Sequence, residues 1–378
     1  MIWRRVVSFG RLSRFIFFFV LACIFSRIFE LNFLSIKMFQ TKRHWSRSSY
    51  PGIERNLIIS DEERNRTFNN DTGIQVDGAT ATSNLIQKSS SDKTIHSSGD
   101  FPYRYLINEE NVCKKGIFII NVVPIAPSSV YSRNMIRELW ANQKYWKNSL
   151  MQTMFLVGLP STNELQHIIE KESTEYHDII QVGLIDSYKN LTLKTLTILH
   201  WTEHFCPSAT WILKSDEDVF VNSFALKNFL GQIIMRDLPR NVFVCKVNKE
   251  RKVCRSKRKC PAKWIIPETL YAEKYYPTYC NGPAYIISRP LARQIYYVAN
   301  KTNPFPMEDV YYTGIQAEGL NPHYVNLARS NFRSKYHRST SYNWSKMPLF
   351  IVHVEKIKGR SSELWQRILQ QYKSNILE

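Results

Sequence analysis

The chain has 378 residues, of which 44% are hydrophobic and 13% aromatic, so it can bury one large core or two ordinary ones. Its formal net charge of +19 suits a polyanionic donor, an acidic acceptor, a membrane surface or a nucleic acid. No DNA- or RNA-binding module is recognisable, which argues against a nucleic-acid partner.

The first 50 residues predict a membrane anchor. Four arginines precede eleven uncharged residues, Phe15 to Phe25, and apolar residues continue beyond them, interrupted by Arg27 and Glu30. These two charges are three residues apart and can pair on one helix face, while a span needs about 20 apolar residues. We predict a cytoplasmic tail over residues 1–14 and a signal-anchor transmembrane helix over residues 15–36. A cleaved signal peptide is the alternative, because an eleven-residue apolar core also fits one.

Residues 37–100 predict a luminal stem. They are rich in Ser, Asn, Thr and Asp and bury too little apolar surface to offset ordering, so we expect them to be largely disordered. The folded domain is predicted over residues 101–378. Five N-glycosylation sequons favour a protein of the secretory pathway, at Asn65, Asn70, Asn190, Asn300 and Asn343.

Cysteine usage agrees with that compartment. One cysteine, Cys23, lies in the predicted anchor, which leaves six for the lumen, and six cysteines allow fifteen pairings into three disulfides. Cys254 and Cys260 flank a basic segment and could close a local loop. A zinc site is the alternative, but paired C-x-x-C spacing and a histidine cluster are lacking.

From about residue 115 the sequence alternates short apolar runs with helical segments. Strands are predicted at residues 117–123, 154–157, 178–182, 210–213, 242–244, 283–288 and 349–353, and helices at 133–145, 161–172, 191–204 and after Pro290. This order predicts an α/β layer with a mainly parallel sheet. Ligands of such sheets bind at the carboxyl ends of the strands.

Three adjacent carboxylates, Asp216, Glu217 and Asp218, follow the apolar run that ends at Leu213. If the extended backbone continues, Asp216 and Asp218 share one face. Clustered carboxylates repel one another unless a cation lies among them, and oxygen ligands suit Mg²⁺ or Mn²⁺. The triplet therefore predicts a metal site, and a solvated acidic turn is the alternative.

Two further sets of charged residues are candidates for the site. Glu308 and Asp309 open a predicted helix, where acids can also serve as helix caps or partners of the helix dipole. Arg133 and Arg137 are four residues apart on a predicted helix and so share one face. Guanidinium groups suit phosphate or uracil contacts, although two surface arginines on an amphipathic helix would show the same spacing.

Six sequence blocks occur in one order and carry a family resemblance. They are residues 133–140, 155–158, 186–195, 214–222, 276–285 and 308–311. Together they resemble the β-1,3-galactosyltransferase group of glycosyltransferase family 31, which includes β-1,3-N-acetylglucosaminyltransferases, over roughly residues 103–370. Two positions depart from the family pattern: Leu139 stands where Thr is usual, and Glu217 replaces the usual central Asp.

The resemblance implies a GT-A-type, Rossmann-like sheet that binds nucleotide sugars, a UDP-sugar donor and Mn²⁺ as cofactor. It implies an inverting, metal-dependent hexosyltransferase that moves galactose, or N-acetylglucosamine, to a glycan hydroxyl in β-1,3 linkage, on protein or lipid. It also implies a single-pass type II protein of the Golgi membrane with a luminal catalytic domain. The sequence leaves the donor sugar, the acceptor and the oligomeric state open.

The resemblance also assigns residue roles. Asp309 is the expected general base, with Glu308 orienting it or binding the acceptor, since an inverting transfer needs a carboxylate to take the acceptor's proton. The expected metal ligands are Asp216, Asp218 and His353, although a histidine in an apolar run is often simply a core residue. Expected contacts to the donor come from Arg133, Arg137, Asp186, Lys194, Asp216 and Gly282.

A catalytically inactive luminal relative, acting as chaperone or partner of an active transferase, is the alternative function. Such a protein would be expected to lose the metal triplet or the late aspartate. Asp216, Asp218 and Asp309 are all present, which favours the enzyme.

Overall fold

A computed structural model describes residues 101–113, 116–146, 151–235, 239–333, 348–352 and 360–372. The predicted cytoplasmic tail, anchor and stem lie outside these ranges. Within the ranges, no helix combines the length and apolar character needed to cross a membrane.

The fold is mixed α/β, built on an eight-stranded sheet in the order β1-β4-β3-β2-β5-β8-β7-β9. Its strands are β1 (Tyr105–Ile107), β2 (Ile119–Pro124), β3 (Met151–Leu159), β4 (Ile179–Ile185), β5 (Trp211–Ser215), β7 (Val242–Asn248), β8 (Tyr279–Ser288) and β9 (His323–Asn326). A smaller sheet has the order β10-β11-β6 and comprises β6 (Val219–Val221), β10 (Phe332–Arg333) and β11 (Phe350–Val352).

The prediction of a mainly parallel sheet holds for the four strands β4, β3, β2 and β5, which pair in parallel. It is wrong at β8, which pairs antiparallel to both β5 and β7, and at β1, which pairs antiparallel to β4. The apolar runs could not reveal this, because a strand buried on both faces has the same composition in either direction.

The helices are α1 (Val130–Glu138), α2 (Asn163–Tyr176), α3 (Leu191–His204), α4 (Ser223–Met235), α5 (Arg289–Ala299), α6 (Glu308–Val310) and α7 (Arg360–Gln371). Helix α3 has the bounds predicted from the sequence, and α6 continues as one π-helical turn over Tyr311–Ile315. Helices α4 and α7 were not predicted from the sequence. For α4 the signal was the capping residue Asn222, whose side-chain oxygen accepts a hydrogen bond from the Ala225 backbone N–H.

The main sheet separates two apolar layers. All six residues of β2 are buried, and successive side chains enter opposite layers: Ile119 and Val123 lie on one side, Ile120 and Val122 on the other. A strand covered on both faces fixes its neighbours tightly, so the loops at its carboxyl end start from a rigid edge.

Three disulfides join described residues: Cys113–Cys206, Cys245–Cys280 and Cys254–Cys260. The local loop suggested by the spacing of Cys254 and Cys260 is therefore confirmed. Cys245–Cys280 ties β7 to β8, the strand that contains Gly282.

Gly158, near the end of β3, generates a prediction about stability. A Cβ atom at this position would lie 2.4 Å from the backbone oxygen of Leu184 on β4. Because that oxygen belongs to the sheet, Gly158→Ala should lower the free energy of unfolding by about 1–3 kcal/mol, measured by denaturant titration.

Gly231→Ala is the matched control, since nothing lies within 4 Å of its added Cβ atom. Gly231 lies inside α4, where alanine is favoured over glycine by about 0.8–1.0 kcal/mol, so this variant should be more stable than the native chain. Equal effects of the two substitutions would contradict the close contact at Gly158.

Candidate active site

The acidic triplet forms the turn between β5 and β6. The Asp216 backbone N–H donates to the Pro283 carbonyl on β8 (2.8 Å), and the Val219 N–H donates to the Asp216 carbonyl (3.2 Å). The extended backbone does not continue through the triplet, so the condition under which Asp216 and Asp218 would share one strand face is not met. The chain turns here because β6 leaves the main sheet and pairs with β11.

A buried lysine, Lys214, lies beneath this turn. It is the fourth residue of β5, and its side chain is only 2% exposed. Its ammonium group donates to Asp216 and to the Gly282 carbonyl (3.0 Å), and it lies 3.6 Å from a carboxylate oxygen of Glu308. One cation thus joins the acidic turn, β8 and α6.

Glu308, the first residue of α6, is held inside the protein. It is 4% exposed, and one oxygen accepts hydrogen bonds from the hydroxyls of Thr195 (2.9 Å) and Tyr285 (2.6 Å). The other oxygen faces Lys214. Since both oxygens have protein partners, the geometry favours orientation of α6 over acceptor binding, the two roles expected from the sequence.

Asp309, next to Glu308, packs against Gly282. A Cβ atom at residue 282 would lie 3.1 Å from Asp309 Oδ2 and 3.3 Å from its Cγ. A Cβ atom at residue 282 would therefore crowd the Asp309 carboxylate, whereas the sequence predicts a contact of Gly282 to the donor. Asp309 also accepts a hydrogen bond from the Val310 N–H through Oδ1 (2.9 Å).

Burial and neighbouring charges raise the pKa of two carboxyl groups, those of Asp216 and Asp309. Burial raises the pKa of Asp216 to about 6; Lys214 opposes this, and the charges of Glu308 and Asp218 add to it. Burial and then the charge of Glu308 raise the pKa of Asp309 to about 7. Burial alone would lower the pKa of Lys214, but Asp216, Glu308 and Asp309 outweigh it and raise that pKa. Asp309 is therefore close to its titration point near neutral pH.

The Asp186 block adjoins the acidic turn. Lys194 of α3, 3% exposed, donates to Asp186 Oδ2 (2.5 Å) and to the Ile125 carbonyl just after β2 (2.9 Å). Burial lowers the pKa of Lys194, opposed by Asp186 and Glu217, so Glu217 of the acidic turn lies near this pair. Within the same block, the Asn190 side-chain nitrogen donates to the Ile185 carbonyl (2.8 Å).

Arg133 does not fit the expected contact with a nucleotide. Its side chain is 0% exposed, and it forms a paired contact with Glu172 of α2 at 2.6 and 2.8 Å. The remaining bonds run to the carbonyls of Ala126 (3.0 Å) and Pro127 (3.1 Å), in the loop after β2. Arg133 thus stabilises that loop from the protein interior. Its guanidinium group makes its bidentate contact within the protein.

Arg137 lies one turn further from this loop and is also held within the protein. It bonds both oxygens of Asp178 at 2.8 Å, contacts Glu172 at 2.7 Å, and lies over the ring of Tyr176. Its side chain is 10% exposed. The structure therefore gives Arg137 a packing role beside β3 and β4.

Asp216 and Asp218 fit a hard divalent cation. They come from one turn, the Asp216 side chain is 34% exposed, and the charge of Asp218 adds to the rise that burial causes in the pKa of Asp216. Oxygen donors of this kind suit Mn²⁺ or Mg²⁺. In the described ranges no three His, Cys, Asp or Glu side chains converge on one point, and His353 lies outside those ranges.

The structure therefore gathers most of the predicted residues and adds three to them. The acidic turn, Asp186, Lys194, Gly282, Glu308 and Asp309 lie around the carboxyl ends of the central strands. The three added residues, for which the sequence predicted no role, are Lys214, Tyr285 and Thr195. For Lys214 a signal was available: it is a lysine in an apolar strand, directly before three acids, where burial without partners would be costly.

The family model described as "Galactosyltransferase" matches residues 131–328. This range contains every predicted site residue except His353. Leu139, one of the two positions that depart from the family pattern, is 7% exposed and belongs to the apolar core.

The chain is similar to two curated relatives. It is 32% identical over 253 residues to beta-1,3-galactosyltransferase 2 of Homo sapiens, covering 65% of this chain and 58% of that protein. It is 35% identical over 212 residues to beta-1,3-galactosyltransferase 1 of Mus musculus, covering 55% and 63%. The chain thus spans less than two thirds of the length of either relative.

Among solved structures, the apo-form glycosyltransferase GlyE of Streptococcus pneumoniae TIGR4 is similar with a TM-score of 0.36. The sequences are 12% identical, and the alignment covers 68% of this chain and 64% of that one.

The buried cation Lys214 generates a prediction about stability and pH. In Lys214→Met, Asp216 and Glu308 lose their buried positive partner, so the free energy of unfolding at pH 7 in EDTA should fall by about 3–5 kcal/mol. Without Lys214 the folded-state pKa of Asp216 and Asp309 rises further above the unfolded values. The folded variant therefore takes up protons as pH falls, and its deficit should shrink between pH 7 and pH 5.5.

Lys171→Met is the control, because Lys171 is an exposed residue of α2. It should change the free energy of unfolding by no more than about 0.5 kcal/mol at either pH. A deficit in Lys214→Met that stays constant with pH would contradict the proposed coupling to the carboxylates.

Proposed function

The chain belongs to the galactosyltransferase family, and from that premise we propose that it is an inverting hexosyltransferase that uses a UDP-sugar, with galactose favoured, to form a β-1,3 linkage. The observation that carries the proposal is the approach of Asp309 to Gly282, beside the turn that holds Asp216 and Asp218. A candidate base thereby lies close enough to the candidate metal site for the pKa of Asp309, raised mainly by burial, to be raised further by the charge of Asp216.

The donor is proposed to bind at the acidic turn. Asp216 and Asp218 would hold Mn²⁺, which as a Lewis acid stabilises the departing diphosphate. Asp186 and Lys194 are proposed to face the nucleotide, on a GT-A-type sheet. The buried Arg133 keeps the loop after β2 in place beside them, and His353 is proposed as a further ligand.

Asp309 is proposed to take the proton from the acceptor hydroxyl as that oxygen attacks the sugar. A general base works best when its pKa is near the working pH, and burial with the nearby Glu308 raises the pKa of Asp309 to about 7. Glu308 holds α6 through Tyr285 and Thr195, and Lys214 partly balances both carboxylates.

The surroundings of the enzyme follow from the sequence. We propose a type II Golgi membrane protein with its catalytic domain in the lumen, acting on glycans of proteins or lipids. The predicted anchor, the five sequons and the three disulfides support this compartment.

The proposed base generates a prediction about turnover. Asp309→Asn keeps the size of the side chain and removes its ability to accept a proton. With UDP-galactose, UDP-N-acetylglucosamine and a panel of glycan acceptors, kcat should fall by about 10²-fold or more. In the native enzyme kcat should decline as pH falls below about 7, because protonated Asp309 cannot act as a base.

Binding of UDP with Mn²⁺ should persist in Asp309→Asn, which separates loss of the base from loss of the fold. Glu318→Gln, a change at an exposed acid outside the site, is the control and should keep native turnover. Near-native kcat in Asp309→Asn would overturn the assignment. Donor binding without transfer by the native chain to any acceptor would instead favour the inactive relative.

The proposed metal site generates a separate prediction. Asp218→Ala should abolish both transfer and Mn²⁺-dependent binding of UDP, measured by calorimetry, while the free energy of unfolding in EDTA changes little. Full transfer by the native enzyme in EDTA, or native UDP binding by Asp218→Ala, would contradict a metal at this turn.

A further inference from the structure

A strongly basic loop, residues 249–263, borders the candidate site and has no role in the chemistry proposed above. Its eight basic residues stand against a single acid, Glu250. They are Lys249, Arg251, Lys252, Arg255, Lys257, Arg258, Lys259 and Lys263, and all except the partly buried Arg255 are exposed. Such a density of like charge is costly to hold together, because the charges repel one another.

The basic loop is nevertheless a fixed structure. The disulfide Cys254–Cys260 closes its centre. Arg255 donates to the carbonyls of Ile266 (2.8 Å), Tyr271 (2.6 Å) and Glu273 (2.8 Å). The Arg255 guanidinium thus bonds the protein backbone and supports the turn. The charges of Lys257, Arg258 and Lys259, which follow it, are exposed on the outside of that turn.

The loop contacts Tyr188 and Tyr276, two residues that lie near different parts of the candidate site. At its end, the Lys263 ammonium lies 4.6 Å from the ring centroid of Tyr188, two residues after Asp186. At its beginning, the Arg251 carbonyl accepts a hydrogen bond from the Tyr276 N–H (2.9 Å). The ring of Tyr276 packs against Phe305 at 6.3 Å, three residues before Glu308.

Exposed aromatic rings lie among these charges. Trp264 is 41% exposed, Tyr275 is 40% exposed and Tyr188 is 55% exposed. Flat apolar rings beside cations suit a ligand with apolar sugar faces and negative groups. The diphosphate of the donor is accounted for at the acidic turn, so it does not require this loop.

We propose that the basic loop binds an acceptor glycan that carries anionic groups, such as sulfate, carboxylate or phosphate, next to the hydroxyl that reacts. This inference rests on the proposed function, since it deepens the account of the acceptor. The positive rim offsets the negative charge of the acidic turn, which would otherwise repel such an acceptor.

The test is equilibrium binding of two fluorescent probes in the presence of UDP and Mn²⁺. One is a hexasaccharide of alternating galactose and N-acetylglucosamine, and the other is the same hexasaccharide with 6-O-sulfate groups. A sulfate at C6 leaves the 3-hydroxyl free. The native protein should bind the sulfated probe at least about tenfold more tightly, and the preference should weaken with added salt because exposed charges are screened.

The variant Lys257→Gln/Arg258→Gln/Lys259→Gln removes three exposed charges of the loop. It should weaken binding of the sulfated probe at least about fivefold, the scale expected when three exposed ion pairs are lost together. The control Lys144→Gln/Lys171→Gln/Lys301→Gln removes the same charge from exposed positions elsewhere and should bind as the native protein does. A variant that exchanges lysine and arginine at residues 257–259 keeps the three charges and should bind the sulfated probe as the native protein does.

Equal binding of the two hexasaccharides, or equal losses in the loop and control variants, would overturn the proposal. Binding of phosphatidylserine vesicles through the loop, with no preference for the sulfated probe, would overturn it in favour of a membrane surface. Binding of UDP with Mn²⁺ is measured on the same preparations. Its absence, with the sulfated preference intact, would overturn the proposed function and leave the loop as an anion-binding surface.

Discussion

A single buried ammonium group, that of Lys214, holds the candidate site together. It contacts the acidic turn, a carbonyl of β8 and the first carboxylate of α6, three segments far apart in sequence. A buried charge without partners would be prohibitively costly, so each segment depends on the others to keep it satisfied. The acidic cluster can therefore remain folded when no divalent ion is bound, and Lys214 also limits the rise in the pKa of Asp309 that burial and the charge of Glu308 cause.

A second buried cation, Arg133, acts at the loop after β2. Arg133 joins α1, α2 and the loop after β2, using Glu172 and two backbone carbonyls as partners. The guanidinium replaces hydrogen bonds that this short loop cannot form within a helix or strand. Both cations thus order loops at the carboxyl edge of the sheet, where a ligand of the central strands is expected.

Much of this architecture could be predicted from the sequence, because the spacing and composition of the apolar residues reflect which side chains are buried. The runs of β2 to β5 and the bounds of α3 are examples. Strand direction at β8 could not be predicted, since it depends on pairing with residues distant in the chain. The same limit explains Arg133 and Gly282: their partners, Glu172 and Asp309, are 39 and 27 positions away, and nothing local identifies them. The acidic residues could be identified from the sequence, because adjacent carboxylates repel one another unless a cation lies among them.

The side-chain nitrogen of Asn190 combines a structural contact with the glycan attachment point of a sequon. In the folded chain it donates to the Ile185 carbonyl, one residue before Asp186, and it is the atom to which a glycan would be attached at this sequon. A glycan would replace only one of the two hydrogens on this nitrogen, so the remaining N–H could still donate to Ile185. That bond would then fix the direction in which a sugar on Asn190 leaves the turn between β4 and α3.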